Sequence, residues 1–202
     1  TAKENLLREG VDPDTIHVTG NPVIDALHMV ANMDYDVEKG PLDGIPWEKR
    51  IVLVTAHRRE NHGEPLEQIC QALLDIAEHY DDVHLVYPVH LSPKVQEPVH
   101  RWLEGQEQIT LLPPLDYLPL VQLMNRSYLV LTDSGGIQEE APGLGKPVLV
   151  LREKTERPEA VVSGTVTLVG SDKENIVSQT AKLLSGETAY KKMAQAVNPY
   201  GD

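Results

Sequence analysis

The sequence predicts an α/β fold, in which a parallel sheet is covered by helices on both faces. Short apolar runs alternate along the chain with segments whose apolar residues recur at helical spacing. The runs are continuously apolar, as in residues 51–55, which is typical of strands buried on both faces of a parallel sheet. Strict alternation without an internal repeat indicates a doubly wound, Rossmann-like sheet.

The predicted elements follow one another with short connections. Strands are predicted at residues 16–19, 51–55, 83–87, 109–112, 128–132, 147–151 and 166–169. Helices are predicted at residues 2–9, 66–80, 94–103, 117–125, 173–184 and 188–196, with two more that begin after Pro22 and Gly136. Residues 34–47 are polar and carry two prolines and two glycines, so this segment is predicted to be a surface loop.

Composition limits the classes of protein that this chain can represent. Its 202 residues are enough for one substantial core, and 41% hydrophobic and 24% charged residues are typical of a globular protein. Phe is absent and aromatics make up 4%, so the core is expected to be aliphatic. The net charge of −13 argues against nucleic acid or an anionic membrane surface as a partner.

Cysteine usage and the chain ends complete the general expectations. Cys70 is the only cysteine and lies in an apolar helical pattern, so a buried structural thiol is expected and a disulfide is excluded within the chain. No signal peptide or long apolar stretch is present, which favours the cytoplasm. The chain begins in an uncapped helical pattern and ends abruptly, so we expect a fragment of a longer protein.

A glycine turn between two strands is the first candidate site. Residues 128–132 form an apolar strand that turns sharply at Ser134, Gly135 and Gly136 and then enters a short helix. Unpaired N–H groups at such a helix start favour an anion such as phosphate, although Ser-Gly-Gly is often only a tight turn. Glu140 lies about one turn further on the same face, where its carboxylate could accept the hydroxyls of a ribose. The turn therefore predicts a nucleotide-diphosphate pocket.

Basic side chains follow two other predicted strands. His57, Arg58 and Arg59 come directly after residues 51–55, and His90 comes just after residues 83–87. Because ligands of doubly wound sheets lie at the carboxyl ends of the strands, these groups are placed where an anion would bind. Position alone leaves a second interpretation open, in which the arginines are solvated surface charges and the histidines are turn residues.

Other kinds of chemistry find less support. Arg157, held extended by Pro158, could point into the same crevice with Glu156 and Glu159 orienting it. The histidines lack zinc spacing, so no metal site is expected. No nucleophile elbow is present, and Glu139 and Glu140 are adjacent on a helix, so their side chains should diverge. The chain thus offers binding groups and His57, without a complete acid/base pair.

Several motifs carry a family resemblance. GNPVIDAL, TAHRREN, YPVHLSP, DSGGIQEEAP, TERPEAV and NPYGD resemble the non-hydrolysing UDP-N-acetylglucosamine 2-epimerases over nearly the whole chain. The resemblance implies a GT-B architecture of two Rossmann-like domains with the active site between them. Residues 1–202 would then be one Rossmann-like UDP-binding domain, the C-terminal one. The N-terminal domain and the helix that follows NPYGD would be absent.

The resemblance also implies a reaction. Family members interconvert UDP-GlcNAc and UDP-ManNAc by eliminating UDP to give 2-acetamidoglucal and adding it back, without a cofactor, in the cytoplasm. The product feeds the synthesis of cell-surface polysaccharide. The carboxylates that move the proton at C2 belong to the N-terminal domain, so this chain alone would bind UDP and be inactive. The full-length enzyme would be a homodimer that binds neither nucleic acid nor membrane.

Residue roles follow from the matching motifs. Ser134, Gly135 and Gly136 would bind the diphosphate and Glu140 the ribose. His57 would contact the diphosphate and be critical for activity, and Arg157 would line the UDP site.

Two further assignments concern regulation and the base. In family members regulated by a second UDP-GlcNAc, the histidine that corresponds to His90 touches that molecule, and Arg58 is its candidate neighbour. Uracil would lie against the segment from Leu115 to Leu120. Some relatives have a polar residue in place of Leu115 and an aromatic one in place of Leu120, so the base is expected to pack on aliphatic side chains here.

Two other functions remain open at the level of sequence. A GT-B glycosyltransferase or a hydrolysing epimerase would share the UDP site but transfer or release the sugar. A non-enzymatic nucleotide-sugar-binding module would need only this domain.

Overall fold

The computed structural model describes residues 2–201 and has the predicted α/β architecture. Its strands are β1 (Arg50–Thr55), β2 (Val83–Pro88), β3 (Ile109–Leu112), β4 (Leu129–Thr132), β5 (Val148–Val150) and β6 (Val166–Leu168). Within the described residues they form one parallel sheet in the order β3-β2-β1-β4-β5-β6. The strand order reverses between β1 and β4. In doubly wound sheets the crevice at such a reversal is where ligands bind.

Helices cover both faces of the sheet. They are α1 (Ala2–Arg8), α2 (Pro22–Ala31), α3 (Glu64–His79), α4 (Pro93–Leu103), α5 (Tyr117–Arg126), α6 (Ile137–Gly143), α7 (Pro158–Ser163), α8 (Lys173–Ser185) and α9 (Glu187–Ala194). Helices α3, α4 and α8 pack on one face, and α5, α6 and α7 pack on the other. Helix α2 lies outside this second layer, where Ile24 and Leu27 contact Val121 of α5.

The side chains of β1 explain why the sheet needs both layers. Val52 and Val54 face the first layer, whereas Ile51 and Leu53 face the second, and all four are buried. Val52 is also flanked within the sheet by residues of β2 and β4. A strand buried on both faces requires the continuous apolar run that the sequence contains. The expected aliphatic core is confirmed.

Cys70 and Tyr87 are two of the buried side chains that are not aliphatic. Cys70 is fully buried in α3, as expected, and burial raises the pKa of its thiol to about 12. Tyr87 is fully buried in β2, and its hydroxyl donates a hydrogen bond of 2.6 Å to the carbonyl of Ala56. That bond ties the end of β2 to the end of β1.

Two local predictions were wrong, and one helix was not predicted. Residues 16–19 form no strand, because this segment is largely exposed, with Val18 76% exposed, and pairs with none of the described strands. Residues 34–47 are not simply a surface loop, since Leu42 and Ile45 are buried against the second face of the sheet. Residues 158–163 form the helix α7, which begins at a proline and ends at Gly164 with a left-handed φ of 78°.

The last described residues pack back onto α2 and α6. The carbonyl of Tyr200 accepts a hydrogen bond of 2.8 Å from the N–H of Asn21, and Asn198 Nδ2 donates one of 3.1 Å to the carbonyl of Glu139. The final residue of the NPYGD motif, Asp202, lies outside the described residues. No helix in residues 2–201 has the length and apolar character needed to cross a membrane.

Candidate functional site

A cavity of about 280 Å³ opens where the strand order reverses, and we refer to it as the strand-end cavity. It lies at the carboxyl ends of β1, β2 and β4 and is capped by the first turns of α5 and α6. The lining residues are Thr55, His57, Pro88, His90, Pro114, Leu115, Tyr117, Leu120, Ser134, Gly136, Ile137 and Glu140. Most of the residues predicted from the strand ends therefore meet in one place.

Hydrogen bonds anchor the glycine turn to the ends of β4 and β1. The hydroxyl of Thr132 accepts a hydrogen bond of 2.9 Å from the N–H of Ser134 and lies 2.6 Å from the hydroxyl of Thr55 on β1. The carbonyl of the same residue, Ser134, accepts a hydrogen bond of 3.1 Å from Nε2 of Gln138 on α6. The turn is held from both sides, which fixes the position of Ser134 at the edge of the cavity.

The two glycines of this turn are not required by the backbone. Gly136 has φ −64° and ψ −47°, which any residue adopts, and Gly135 has no positive φ. What the glycines provide is space. A Cβ on Gly136 would lie 3.4 Å from Oε1 of Glu140, on the cavity side, and one on Gly135 would lie 2.4 Å from Oε1 of Glu156. Gly135 therefore leaves room for the side chain of Glu156, and Gly136 leaves room on the cavity side, as expected of a backbone that a ligand approaches closely.

Glu140 is the carboxylate that faces the strand-end cavity. Burial raises its pKa, the hydrogen bond from the hydroxyl of Tyr117 lowers it, and the neighbouring charge of Glu139 raises it. Burial, together with the charge and hydrogen bond of Glu140, raises the pKa of Tyr117 to about 12, so the phenol stays protonated near neutral pH. The pKa values of this carboxylate and of the phenol on α5 are thus linked.

The two predicted histidines lie side by side. The rings of His57 and His90 stack with centroids 5.3 Å apart and planes inclined by 11°. Burial lowers the pKa of His57; Asp133 opposes this effect, while His90 and Arg58 add to it. The imidazole is therefore held in its neutral form more strongly than an exposed histidine would be.

A second cavity of about 590 Å³ adjoins the first, and we refer to it as the basic cavity. It is lined by His57, Arg58, Arg59, Glu60, His62, His90 and Ser92. The two cavities share the stacked histidines, so a ligand in one contacts the same ring pair as a ligand in the other. Two arginines and three histidines favour an anion in this second cavity as well.

Arg157 is not among the residues that line either cavity. Its Nε donates to Oε1 of Glu139, whose other oxygen accepts from Nδ2 of Asn21. Glu139 is 6% exposed, so this ion pair is largely buried and joins α6 to the start of α7 and to α2. The expected orienting partners were wrong, because Glu156 pairs with Arg58 and Arg152 instead.

The adjacent glutamates diverge as the sequence predicted. Glu139 points to Arg157 and Asn21, whereas Glu140 points to the cavity. Within residues 2–201 no three or more His, Cys, Asp or Glu side chains are grouped to hold a metal ion. The arrangement therefore combines donors for an anion, one carboxylate for hydroxyl groups and one imidazole that can exchange a proton.

Sequence reasoning missed three functional neighbours. Asp133 is fully buried beneath the loop that follows β1, Asn61 contacts it, and Tyr117 contacts Glu140. Asp133 comes directly after β4, so the same strand-end rule that found His57 would have found it. The serine and glycines that follow Asp133 indicate a phosphate site and carry no signal for a buried carboxylate.

Comparison with known proteins places these residues in a family. The family model for UDP-N-acetylglucosamine 2-epimerase matches residues 1–202. The chain is 53% identical to the UDP-N-acetylglucosamine 2-epimerase of Escherichia coli (strain K12) over 208 residues, which cover all of this chain and 55% of that protein. It therefore spans about half the length of the relatives that it matches.

Solved structures agree with this relationship. The UDP-GlcNAc 2-epimerase from Neisseria meningitidis bound to UDP-GlcNAc superposes with a TM-score of 0.91 at 46% identity, covering 99% of this chain and 55% of that one. The enzyme from Methanocaldococcus jannaschii in complex with UDP-GlcNAc and UDP has a TM-score of 0.80 at 32% identity, covering all of this chain and 55% of that one.

Proposed function

The chain belongs to the UDP-N-acetylglucosamine 2-epimerase family, and we propose that it supplies the UDP-binding half of an enzyme that interconverts UDP-GlcNAc and UDP-ManNAc. The observation that carries the proposal is the strand-end cavity. It brings Ser134, Gly136, Glu140 and His57 together in a chain whose whole length matches the family model. Solved relatives that superpose on this chain contain UDP-GlcNAc.

Different groups around the cavity bind different parts of the nucleotide. The diphosphate lies on the turn of Ser134, Gly135 and Gly136, where the missing side chains let backbone N–H groups approach its oxygens. Glu140 accepts the ribose hydroxyls, and His57 contacts the diphosphate from the opposite side.

The base and the ion pair complete this binding site. Leu115 and Leu120 offer aliphatic surface to uracil, at the side of the cavity formed by α5 and the segment before it. Arg157 supports the site through Glu139, because this ion pair fixes the helix that carries Glu140. The proposed contacts of Ser134, Gly136, Glu140, Leu115 and Leu120 thus belong to one cavity, and the role of Arg157 is indirect.

Chemistry at C2 of the sugar requires groups beyond this domain. Epimerisation needs a proton removed from one face and returned to the other, which calls for an acid and a base. The one carboxylate in the strand-end cavity is engaged with the ribose. We therefore assign the proton transfer to the other half of the full-length protein and expect this chain alone to be inactive. The full-length enzyme is proposed to be a homodimer that serves cell-surface polysaccharide synthesis.

The basic cavity is proposed to hold a second nucleotide sugar that regulates the enzyme. Arg58 and His90 line it, and its volume exceeds that of the strand-end cavity. Because the two cavities share His57 and His90, an anion in the basic cavity acts directly on the groups that contact the diphosphate.

The natural-length protein incubated with UDP-GlcNAc in D₂O tests the proposed reaction. We expect UDP-ManNAc to appear with deuterium at C2 in both nucleotide sugars, because each passage through the intermediate exchanges that proton with solvent. The 202-residue chain alone is the control and should give neither product. Release of free sugar and UDP would instead favour a hydrolysing epimerase, and transfer to an acceptor would favour a glycosyltransferase. An inert natural-length protein that still binds UDP would favour a binding module.

A further inference from the structure

Asp133 is a buried carboxylate to which the proposed function gives no role. It is 0% exposed and follows β4 directly, next to Ser134. Its Oδ2 accepts three hydrogen bonds: from the N–H groups of His57 (2.8 Å) and Arg58 (2.7 Å) and from Nδ2 of Asn61 (3.0 Å). A buried charge is costly unless such bonds replace its lost hydration. The three donors therefore hold the carboxylate beneath the loop that carries His57.

The other oxygen of Asp133 faces an imidazole nitrogen. Oδ1 lies 3.5 Å from Nδ1 of His57, and no group in residues 2–201 donates a hydrogen bond to it. An unprotonated Nδ1 would turn its lone pair toward this buried negative oxygen, which is repulsive. A proton on Nδ1 makes the same contact attractive. Geometry thus favours one of the two neutral tautomers.

We propose that Asp133 is a positioning residue that holds His57 in its Nδ1–H tautomer and thereby leaves Nε2 to face the diphosphate. The tautomer follows from the geometry of this chain, whereas the identity of the anion rests on the proposed function. The hydrogen bonds at Oδ2 fix the backbone of the loop, and the free Oδ1 selects the ring nitrogen that carries the proton. One buried carboxylate thus sets both the place and the hydrogen-bonding state of His57.

The proposal implies that His57 takes up a proton when a diphosphate binds. Before binding, burial lowers the pKa of His57 more than the charge of Asp133 raises it, and His90 and Arg58 lower it further. A bound diphosphate adds negative charge beside Nε2, so this nitrogen accepts one proton from solvent and donates a hydrogen bond to a phosphate oxygen. The resulting imidazolium has Asp133 on its Nδ1 side and the phosphate on its Nε2 side. No bond other than N–H is formed.

Nitrogen-15 NMR of the histidine rings tests the tautomer directly. The wild-type chain is labelled at histidine, and the signals of His57 are assigned by their loss in His57→Gln. Above the pKa of His57 we expect a protonated Nδ1 and an unprotonated Nε2. In Asp133→Asn, the amide oxygen keeps accepting the loop N–H groups while the amide NH₂ faces Nδ1, so the two nitrogen shifts should exchange. Asp82→Asn, at an exposed carboxylate paired with Arg50, is the control and should leave His57 unchanged.

Each result of this experiment decides part of the proposal. A wild-type ring with the proton on Nε2, or an Asp133→Asn ring with an unchanged tautomer, would overturn it. If Asp133→Asn does not fold, the wild-type spectrum alone decides, because the proposal requires Nδ1–H. Adding UDP to the wild type should move the Nε2 signal toward its protonated position. If the ring has the expected tautomer but its Nε2 signal does not move when UDP is added, the proposed contact with the diphosphate is overturned. The role of Asp133 in selecting the tautomer would then still stand.

Discussion

Replacing Glu140 with glutamine is expected to weaken UDP binding by about 1.5–3 kcal/mol, the range for a hydrogen bond to a charged group. This corresponds to an increase in Kd of about 10- to 150-fold. The carboxylate can accept both ribose hydroxyls, whereas the amide offers a single accepting oxygen. Titration calorimetry with UDP measures the change.

Two controls make the Glu140 result specific to the ribose. Uridine diphosphate that lacks both ribose hydroxyls should bind the wild type and Glu140→Gln with equal affinity. Glu174→Gln, an exposed change on α8 away from the cavity, should leave UDP binding unchanged. Because burial raises the pKa of Glu140 above its ordinary value of 4.5, acidification should remove the contribution of Glu140 to UDP binding, and this part of the pH dependence should be missing in Glu140→Gln. A loss under a few tenths of a kcal/mol would place the ribose elsewhere.

Removing the guanidinium of Arg157 is expected to cause the largest loss of stability, about 3–5 kcal/mol. Arg157→Ala leaves the carboxylate of Glu139, which is 6% exposed in the intact pair, with Asn21 as a neutral donor to its side chain. A buried charge without its partner is far more costly than the pair itself was stabilising. Since the side chain of Arg157 is 33% exposed, water can reach part of the gap, so we expect the lower end of this range. Urea unfolding of both proteins gives the difference in free energy.

An exposed ion pair supplies the matched control for this prediction. Arg101 contacts Glu67 at 2.6 Å with both side chains exposed, and Arg101→Ala should cost at most about 1 kcal/mol. Adding Glu139→Gln to Arg157→Ala should recover part of the stability, because the second change removes the unpaired charge. If Arg157→Ala were as stable as the control variant, the carboxylate of Glu139 would have found another partner, and the ion pair would not hold α6 and α7 together.

Strands could be predicted where a continuous apolar run in the sequence indicates that the segment is buried on both faces. Residues 51–55 and 83–87 were placed within one residue of β1 and β2, because a continuous apolar run can be buried only between two layers. Residues 16–19 have the same β-branched character and form no strand, since a strand also needs a neighbour to pair with. Propensity describes the segment alone, and pairing depends on where the rest of the chain lies.

In the candidate site, too, some residues could be predicted from the sequence and others could not. His57, His90, Ser134 and Glu140 were found because a parallel sheet brings the carboxyl ends of its strands to one edge. The partners that orient those groups were not found. Asp133 lies 76 positions from His57, and Asn21 lies 118 positions from Glu139, so no local pattern connects them. Tertiary packing decides which charged side chains form ion pairs. The expected pairing of Arg157 with Glu156 or Glu159 was therefore wrong, because Arg157 pairs with Glu139.

Calorimetric titration of this chain with UDP, and with ADP for comparison, tests the central claim most directly. We expect micromolar to millimolar binding of UDP, preferred over ADP, because the strand-end cavity is already formed in this domain. Gly136→Ala should melt like the wild type, since its backbone suits any residue, yet lose at least about tenfold in UDP affinity, because its Cβ would occupy the space beside Glu140. A chain that melts cooperatively but binds neither nucleotide, or binds both equally, would contradict a preformed UDP site.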